Sequence, residues 1–422
     1  MKTATLGRIA ALACLTLLSG CVRVTLAWVP LTPKGPEAEP SVLAALGDHP
    51  VVSSREDWEA RRDDVRDILS REIYGIMPTS WETEIREHTI FDDNAYEGLG
   101  TFEEIEVAAT PHFEGMDEPV TDTFRMSLTV PTKPGPHPIV IIESFCAPWN
   151  ALPHRKAYVP DGVEPRESEG LERYIWGRYI CRPPIEDILE EGYAVAVLNV
   201  GGILPDREEE GLAALRRFVG PDADEQTRWG SIAGWSWLFS TMVDVVSEDE
   251  RIDASRIIAW GHSRYGKAAL HAGAFDDRIA AVIAHQSGTG GASLNRQKIG
   301  ESVGAITKGY PHWFAPTYAT YAGREDELTL DQHHLVALMA PRPVLLGNAR
   351  RDVWSDPNGA IKAARGAAPV YALYSDEAMS LDRLDQYNPQ QSLSFWMRPG
   401  THGVVEEDWP AFLAFLHAHV GD

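Results

Sequence analysis

The sequence predicts a three-layer α/β fold in which helices cover both faces of a mainly parallel sheet and long loops are inserted. Short continuous apolar runs alternate with helical segments from about residue 138 onward. Buried parallel strands have such continuous apolar sequences, because helices cover both of their faces. At 422 residues the chain is long for one domain, but α/β folds with inserted loops reach this size as a single unit.

Five apolar runs are the candidates for buried strands: Pro138–Phe145, Tyr193–Val200, Ile257–Trp260, Ile279–Ala284 and Pro343–Gly347. Ahead of them, alternating segments between residues 82 and 131 predict antiparallel strands. Apolar residues at helical spacing predict helices over residues 58–73, 229–246 and 409–420.

The first residues resemble an export signal. Lys2 and Arg8 form a short positive region before an apolar stretch, Ile9–Leu18, that is too short to span a bilayer. The sequence Leu18-Ser19-Gly20-Cys21 then resembles a bacterial lipobox. We expect residues 1–20 to be a signal peptide, Cys21 to be acylated, and the protein to be a periplasmic or cell-surface lipoprotein anchored to the membrane. The alternative is an ordinary secretory signal with a coincidental cysteine.

Residues 21–48 are rich in Pro, Ala and Gly without clear periodicity, which predicts a tether, and residues 49–422 would then form a single catalytic domain. After removal of the signal peptide, Cys146 and Cys181 are the thiols that remain besides Cys21. In an oxidising compartment they either pair or stay separate buried residues.

Composition narrows the class of protein. Apolar residues make up 44% of the chain and charged residues 24%, which is ordinary for a globular protein and too polar for several membrane spans. The formal net charge of −24 would repel a phosphate backbone, and the sequence has no run of Lys and Arg that would offset this repulsion. Nucleic acid is therefore not an expected partner.

Ser263 is the candidate nucleophile. The segment from Ile257 to Ala269 is typical of a strand, a sharp turn and a helix, which is the context of the nucleophile elbow of α/β-hydrolases. Flanking glycines are needed where the strand and helix backbones nearly touch, but here the second glycine, Gly266, comes one residue late. The alternative is a loop serine that caps the following helix.

A serine hydroxyl needs a base to remove its proton and a carboxylate to orient that base. α/β-hydrolases place the acid and then the histidine downstream of the serine. Asp352 follows a late apolar run and is the candidate acid, whereas Asp356 precedes Pro357 and is better explained as a helix N-cap. His402 lies in a glycine-flanked loop before the last helix and is the candidate general base.

With these residues identified, the segment Gly261–Lys267 resembles the Gly-x-Ser-Arg-x-Gly-Lys signature of glucuronoyl esterases, carbohydrate esterase family fifteen. The late glycine belongs to that signature. The order and spacing of further motifs resemble the family from about residue 229 to the C-terminus. These motifs are Ser287–Gly291, Gly300-Glu301, Pro311–Phe314, Asp331–Leu335, Ala340–Pro343 and Asp352–Pro357.

The resemblance implies hydrolysis of glucuronic acid esters, of the kind that link glucuronoxylan to lignin alcohols, by serine chemistry without a metal or cofactor. It implies that Arg264 serves the oxyanion site and that Lys267, Glu301 and Trp354 contact the sugar. The purely structural alternatives for these three are a solvated lysine, a helix-surface glutamate and a packing tryptophan. The expected partner is therefore a glucuronate-containing polysaccharide or oligosaccharide ester.

The sequence departs from the fungal pattern at three places. Gln286 occupies the position of the fungal acid and cannot ionise, so the resemblance leaves the later Asp352 as the acid, as in some bacterial relatives. His262 and Gly403 replace the cysteines beside the nucleophile and the base. The segment Glu143–Asn150, which follows the strand bordering the oxyanion region, is unlike the family sequence.

Two other functions remain open at this point. An acetyl-carbohydrate deacetylase or general carboxylesterase on the same fold would keep the serine, acid and histidine without needing the sugar contacts. A non-catalytic lipoprotein that binds polysaccharide would need none of them.

Overall fold

A computed structural model describes residues 28–116, 118–147, 169–220, 223–296, 299–375 and 379–421. The predicted signal peptide, Cys21, the first residues of the predicted tether, and residues 148–150 of the segment that departs from the family lie outside these ranges. In the described part of the chain, no helix is long and apolar enough to cross a membrane.

A nine-stranded sheet forms the middle layer, in the order β1-β2-β3-β5-β4-β6-β7-β8-β9. The strands are β1 Ser80–Asn94, β2 Gly100–His112, β3 Asp122–Thr129, β4 His137–Glu143, β5 Ala194–Leu198, β6 Ile252–His262, β7 Ile279–His285, β8 Val344–Ala349 and β9 Leu393–Arg398. From β5 to β9 in this order all neighbours are parallel, while β1, β2, β3 and β5 pair antiparallel. The predicted three-layer α/β-hydrolase architecture with a mainly parallel sheet is confirmed.

Helices pack on both faces of the sheet. Besides a single turn at Ala95–Gly98, the α-helices in the described ranges are α1 Arg55–Leu69, α2 Glu169–Trp176, α3 Ile185–Glu190, α4 Glu208–Val219, α5 Ser231–Ser247, α6 Arg264–Phe275, α7 Val303–Gly309, α8 Pro316–Thr320, α9 Gln332–Ala337, α10 Pro357–Tyr371 and α11 Asp408–His419. Successive residues of a strand point to opposite faces. In β4, Ile139 and Ile141 accordingly join the core around α5 and α6, and Val140 and Ile142 join the core beneath α11.

All five predicted apolar runs form parallel strands, and the range 82–131 forms antiparallel strands as expected. The edge strand β9 was not predicted, because Leu393–Arg398 is short and carries polar Ser394 and Arg398 among its apolar residues. The strand β6 begins five residues earlier than the apolar run Ile257–Trp260, because Ile252 already pairs with His137 of β4. A shift in register separates that pair from the next one, Ile139 with Ile257, so the polar residues in between hid the start of the strand.

Residues 28–48 differ from the predicted tether, because they lie against the folded body. The backbone N–H of Val29 donates to the carbonyl of Arg350 at 2.9 Å, and the backbone N–H of Lys34 donates to Asn358 Oδ1 at 2.7 Å. Val29 and Val42 are buried in the main core. The folded body therefore starts before residue 49, and a composition rich in Pro, Ala and Gly did not reveal the two valines that anchor this segment.

Cys146 and Cys181 form a disulfide. The sequence left open whether these two cysteines pair or stay separate, and in the structure they are paired. The bond joins the loop that follows β4 to the segment that follows α2. Both segments border the site described next.

Candidate active site

Ser263 lies in a tight turn between β6 and α6, with φ 56° and ψ −119°. A positive φ at a residue other than glycine is strained, and such strain is common where a catalytic side chain must be exposed. A Cβ at Gly261 would lie 2.0 Å from the carbonyl oxygen of Tyr265, and one at Gly266 would lie 2.9 Å from that of His285. Both glycines are therefore required by close backbone approach. The Ser263 side chain makes no capping hydrogen bond to α6, so the helix-cap alternative is wrong.

Asp352 and His402 follow β8 and β9, and Ser263 follows β6. Because these strands are parallel, their carboxyl ends meet at one edge of the sheet, where α/β proteins place their sites. His402 Nδ1 lies 2.7 Å from Asp352 Oδ2. An ionised carboxylate only accepts, so Nδ1 carries the proton and donates, which leaves Nε2 free of its proton in the neutral ring.

Asp352 is 3% exposed. Burial alone would raise the pKa of its carboxyl, but the charge and hydrogen bond of His402, together with hydrogen bonds from Ser355, hold that pKa below its ordinary value. The acid beside His402 therefore stays ionised at neutral pH, as an orienting carboxylate must.

His402 is close to the nucleophile turn. Its ring centroid lies 4.6 Å from that of His262, the residue immediately before Ser263. Within the described ranges, the Ser263 hydroxyl makes no hydrogen bond, and the residue is half-buried. The turn that carries Ser263 thus lies close to an imidazole that a buried carboxylate orients.

Arg264 has its guanidinium fixed on three sides. It forms an ion pair with Asp206 and lies over the rings of Phe145, at 5.3 Å, and Trp313, at 5.2 Å. Asp206 Oδ1 also accepts from the indole N–H of Trp313 at 2.7 Å. The sequence analysis gave Asp206 no role. A carboxylate that holds this arginine carries no distinctive local pattern.

The three predicted sugar contacts gather around the loop that follows β7. Lys267 is buried, with Nζ donating to the carbonyl of Ser287 and lying 5.9 Å from the Trp313 ring. The backbone N–H of Glu301 donates to the carbonyl of Trp354 at 2.9 Å, so these two residues are adjacent. Glu301 is buried and Trp354 is 58% exposed. The structure therefore contradicts the three structural alternatives, in which Lys267 is solvated, Glu301 lies on a helix surface and Trp354 is packed.

Comparison with known proteins gives the family. A model of the fungal glucuronyl esterase family matches residues 224–375. Over 400 residues the chain is 31% identical to carbohydrate esterase MZ0003 from an unknown prokaryotic organism, an alignment that covers 92% of this chain and 90% of that protein. The chain belongs to carbohydrate esterase family 15. It is a carboxylic-ester hydrolase, and the family resemblance drawn from its motifs is confirmed.

Solved structures of family 15 esterases share the fold along nearly the whole chain. A promiscuous CE15 esterase from a marine bacterial metagenome superposes with a TM-score of 0.77 at 29% identity, covering 92% of this chain and 98% of the other. A glucuronoyl esterase from Solibacter usitatus superposes with a TM-score of 0.75 at 30% identity, covering 92% and 99%.

In this family 15 esterase, packing and hydrogen bonds hold His262 and Gly403, the two residues that the resemblance matched to fungal cysteines. His262 Nδ1 lies 3.2 Å from His285 Nδ1, and both imidazoles are buried. Burial, with a further contribution from His402, lowers the pKa of His262 well below its ordinary value, so this ring is neutral beside the base. A Cβ at Gly403 would lie 2.2 Å from the carbonyl oxygen of Trp176, which excludes a cysteine there.

Two further features of this esterase were missed from sequence. Trp176, 44% exposed, stands edge-on to His402 with ring centroids 6.0 Å apart, and Val404 N–H donates to its carbonyl at 2.7 Å. Arg398 pairs with buried Asp408 and donates to the carbonyls of Thr401 and Gly403, on either side of His402. A tryptophan in a helix and an ion pair ten residues apart give no local signal of a catalytic neighbourhood.

Asp356 has the structural role predicted for it. Its side chain accepts from the backbone N–H of Gly359 at 2.9 Å, and Pro357 occupies the first turn of α10. Across the described ranges, no three His, Cys, Asp or Glu side chains gather as metal ligands do.

Proposed function

We propose that this chain is an exported serine esterase that hydrolyses esters of glucuronic acid, of the 4-O-methyl-glucuronoyl xylan and lignin–carbohydrate type. Ser263 is the nucleophile, His402 the general base and Asp352 the orienting acid. The observation that carries the proposal is the 2.7 Å bond between His402 and buried Asp352, next to a serine held in the strained elbow turn.

In the acylation half-reaction, Ser263 Oγ attacks the ester carbonyl while His402 Nε2 takes the hydroxyl proton. Asp352 stabilises the imidazolium that forms. The negative charge on the former carbonyl oxygen meets the backbone N–H of Arg264 at the start of α6, and the arginine held by Asp206 adds a fixed positive charge nearby. Collapse of the tetrahedral intermediate breaks the ester bond, and the imidazolium returns the proton to the leaving alcohol.

In the deacylation half-reaction, water takes the place of the alcohol. His402 removes a proton from water as the oxygen attacks the acyl carbonyl, and the proton then passes to Ser263 Oγ as the acyl bond breaks. The products are the free alcohol, the uronic acid and the unmodified enzyme.

Lys267, Glu301 and Trp354 recognise the sugar of the acyl group. Lys267 and Glu301 are buried and offer a cation and a carboxylate to hydroxyl groups, while exposed Trp354 offers an apolar face and an indole N–H. Relatives named 4-O-methyl-glucuronoyl methylesterases, including one from Wolfiporia cocos that is 29% identical over 207 residues, support this substrate class.

The runner-up is a broad carboxylesterase or a carbohydrate deacetylase, which the description of one relative as promiscuous favours. The purified protein should be assayed on benzyl glucuronate and on benzyl acetate, which share a leaving alcohol. The proposal expects kcat/KM to be higher for the glucuronate. Equal or higher kcat/KM for the acetate would support the runner-up, and no hydrolysis of either ester would support a polysaccharide-binding lipoprotein.

We also propose export and anchoring through an acylated Cys21, which rests on the sequence Leu18–Cys21 alone. The packing of residues 28–48 on the body would leave little free chain between the lipid and the enzyme.

A further inference from the structure

The loop that carries His402 is held from the sheet by one neutral side chain, Gln286. Gln286 directly follows β7 and is 1% exposed. Its Oε1 accepts the backbone N–H of Gly403 at 2.8 Å, and its Nε2 lies 3.4 Å from the carbonyl oxygen of Thr401. One amide therefore contacts the residue before His402 and the residue after it.

The partners fix the orientation of this amide. A backbone N–H only donates and a carbonyl only accepts, so Oε1 must face Gly403 and Nε2 must face Thr401. A carboxylate at this position would accept from Gly403 but would have nothing to donate to Thr401. The pair of contacts thus requires the amide that stands here.

Gln286 is held in place at a conformational cost. Its φ is 49°, in the left-handed region that residues with a Cβ seldom adopt. Its backbone N–H donates to the carbonyl of Gly347 in β8 at 2.7 Å. Strain kept at a buried residue beside a catalytic loop indicates a role that compensates for it.

We propose that Gln286 is a positioning residue that fixes the His402 ring relative to Ser263. The inference rests on the proposed role of His402 as the general base. Arg398 also donates to the carbonyls of Thr401 and Gly403, but among the described residues it is Gln286 that accepts from the Gly403 N–H. Without it that donor is buried and unpaired, and the loop relaxes.

The test measures kcat and KM on benzyl glucuronate for the wild type, Gln286→Met and Gln286→Glu. Methionine keeps the volume and loses both contacts, and glutamate is isosteric and loses the donor. Gln286→Met should keep KM within about twofold and lose about tenfold to a hundredfold in kcat, the scale of a slightly misplaced catalytic group. Gln286→Glu should lose less, because glutamate still accepts from the Gly403 N–H and Arg398 still donates to the Thr401 carbonyl. The rate at which a reactive phosphonate labels Ser263 should fall by the same factor.

Gln332→Met is the matched control, because Gln332 is equally buried and accepts a hydrogen bond from Tyr74 at 2.9 Å. It should destabilise the protein and leave kcat unchanged. Wild-type kcat in folded Gln286→Met, a loss in Gln286→Glu as large as that in Gln286→Met, or an equal loss in the control overturns the inference. His402→Ala distinguishes failure of the proposed function from failure of the positioning role. If His402→Ala keeps its activity, the proposed function is wrong. If His402→Ala is inactive while Gln286→Met is fully active, only the positioning role is wrong.

Discussion

His402 and Asp352 are 50 residues apart in the chain and joined by a 2.7 Å hydrogen bond between Nδ1 and Oδ2. Removing the orienting carboxylate from a serine triad costs up to ~10⁴-fold in turnover. Asp352→Asn should therefore cut kcat on a glucuronate ester steeply while the fold survives. Asp356→Asn is the matched control, because asparagine also caps helices and tolerates the positive φ of 55° found there. If Asp356→Asn loses its activity while Asp352→Asn stays active, Asp356 and not Asp352 is the acid.

Lys267 gives a prediction about the acyl group. Loss of a buried hydrogen bond to a sugar hydroxyl costs on the order of 1–3 kcal/mol in transition-state binding. Lys267→Ala should therefore lower kcat/KM for benzyl glucuronate much more than for an aryl acetate, which has no sugar. Since Nζ also donates to the Ser287 carbonyl, an equal loss on both esters would mean that the lysine only supports the loop.

The buried histidines predict how stability varies with pH. Burial lowers the pKa of His271 from 6.5 to about 3. Below pH 6.5 the unfolded chain binds a proton at this residue that the folded chain does not. The free energy of unfolding therefore decreases as the pH is lowered from 6.5. Between pH 6.5 and 5 this one group costs roughly 2 kcal/mol.

Urea unfolding of the wild type and His271→Gln at pH 7 and pH 5 measures this effect. The wild type should lose more free energy of unfolding than the variant between the two values. Parallel losses would show that His271 is not the group that titrates.

Cys21 predicts a modified N-terminus. If the lipobox resemblance is correct, protein extracted from membranes begins at a lipidated cysteine, and mass spectrometry of the N-terminal peptide detects it. Cys21→Ser should shift the protein from the membrane fraction. If the wild-type protein begins at another residue and carries no lipid, the lipoprotein prediction is wrong and the segment is an ordinary secretory signal.

The sequence predicted the parts of the site that lie in continuous motifs. Ser263 was predicted because a strand, a turn and a helix are local patterns, and the order of serine, acid and histidine then pointed to Asp352 and His402. The edge strand β9 and the packed segment 28–48 were missed, because each depends on partners far along the chain. The same reason hid Gln286 as a support for the His402 loop, since its two contacts lie 115 and 117 residues away.

The most direct test of the account is to identify the residue that carries the acyl group. The enzyme should be mixed with an activated glucuronate ester, quenched with acid during turnover, and digested for peptide mass spectrometry. The proposed mechanism predicts a glucuronoyl group on Ser263, and neither adduct nor hydrolysis in Ser263→Ala. Hydrolysis at the wild-type rate by Ser263→Ala, or an adduct on another residue, would contradict it.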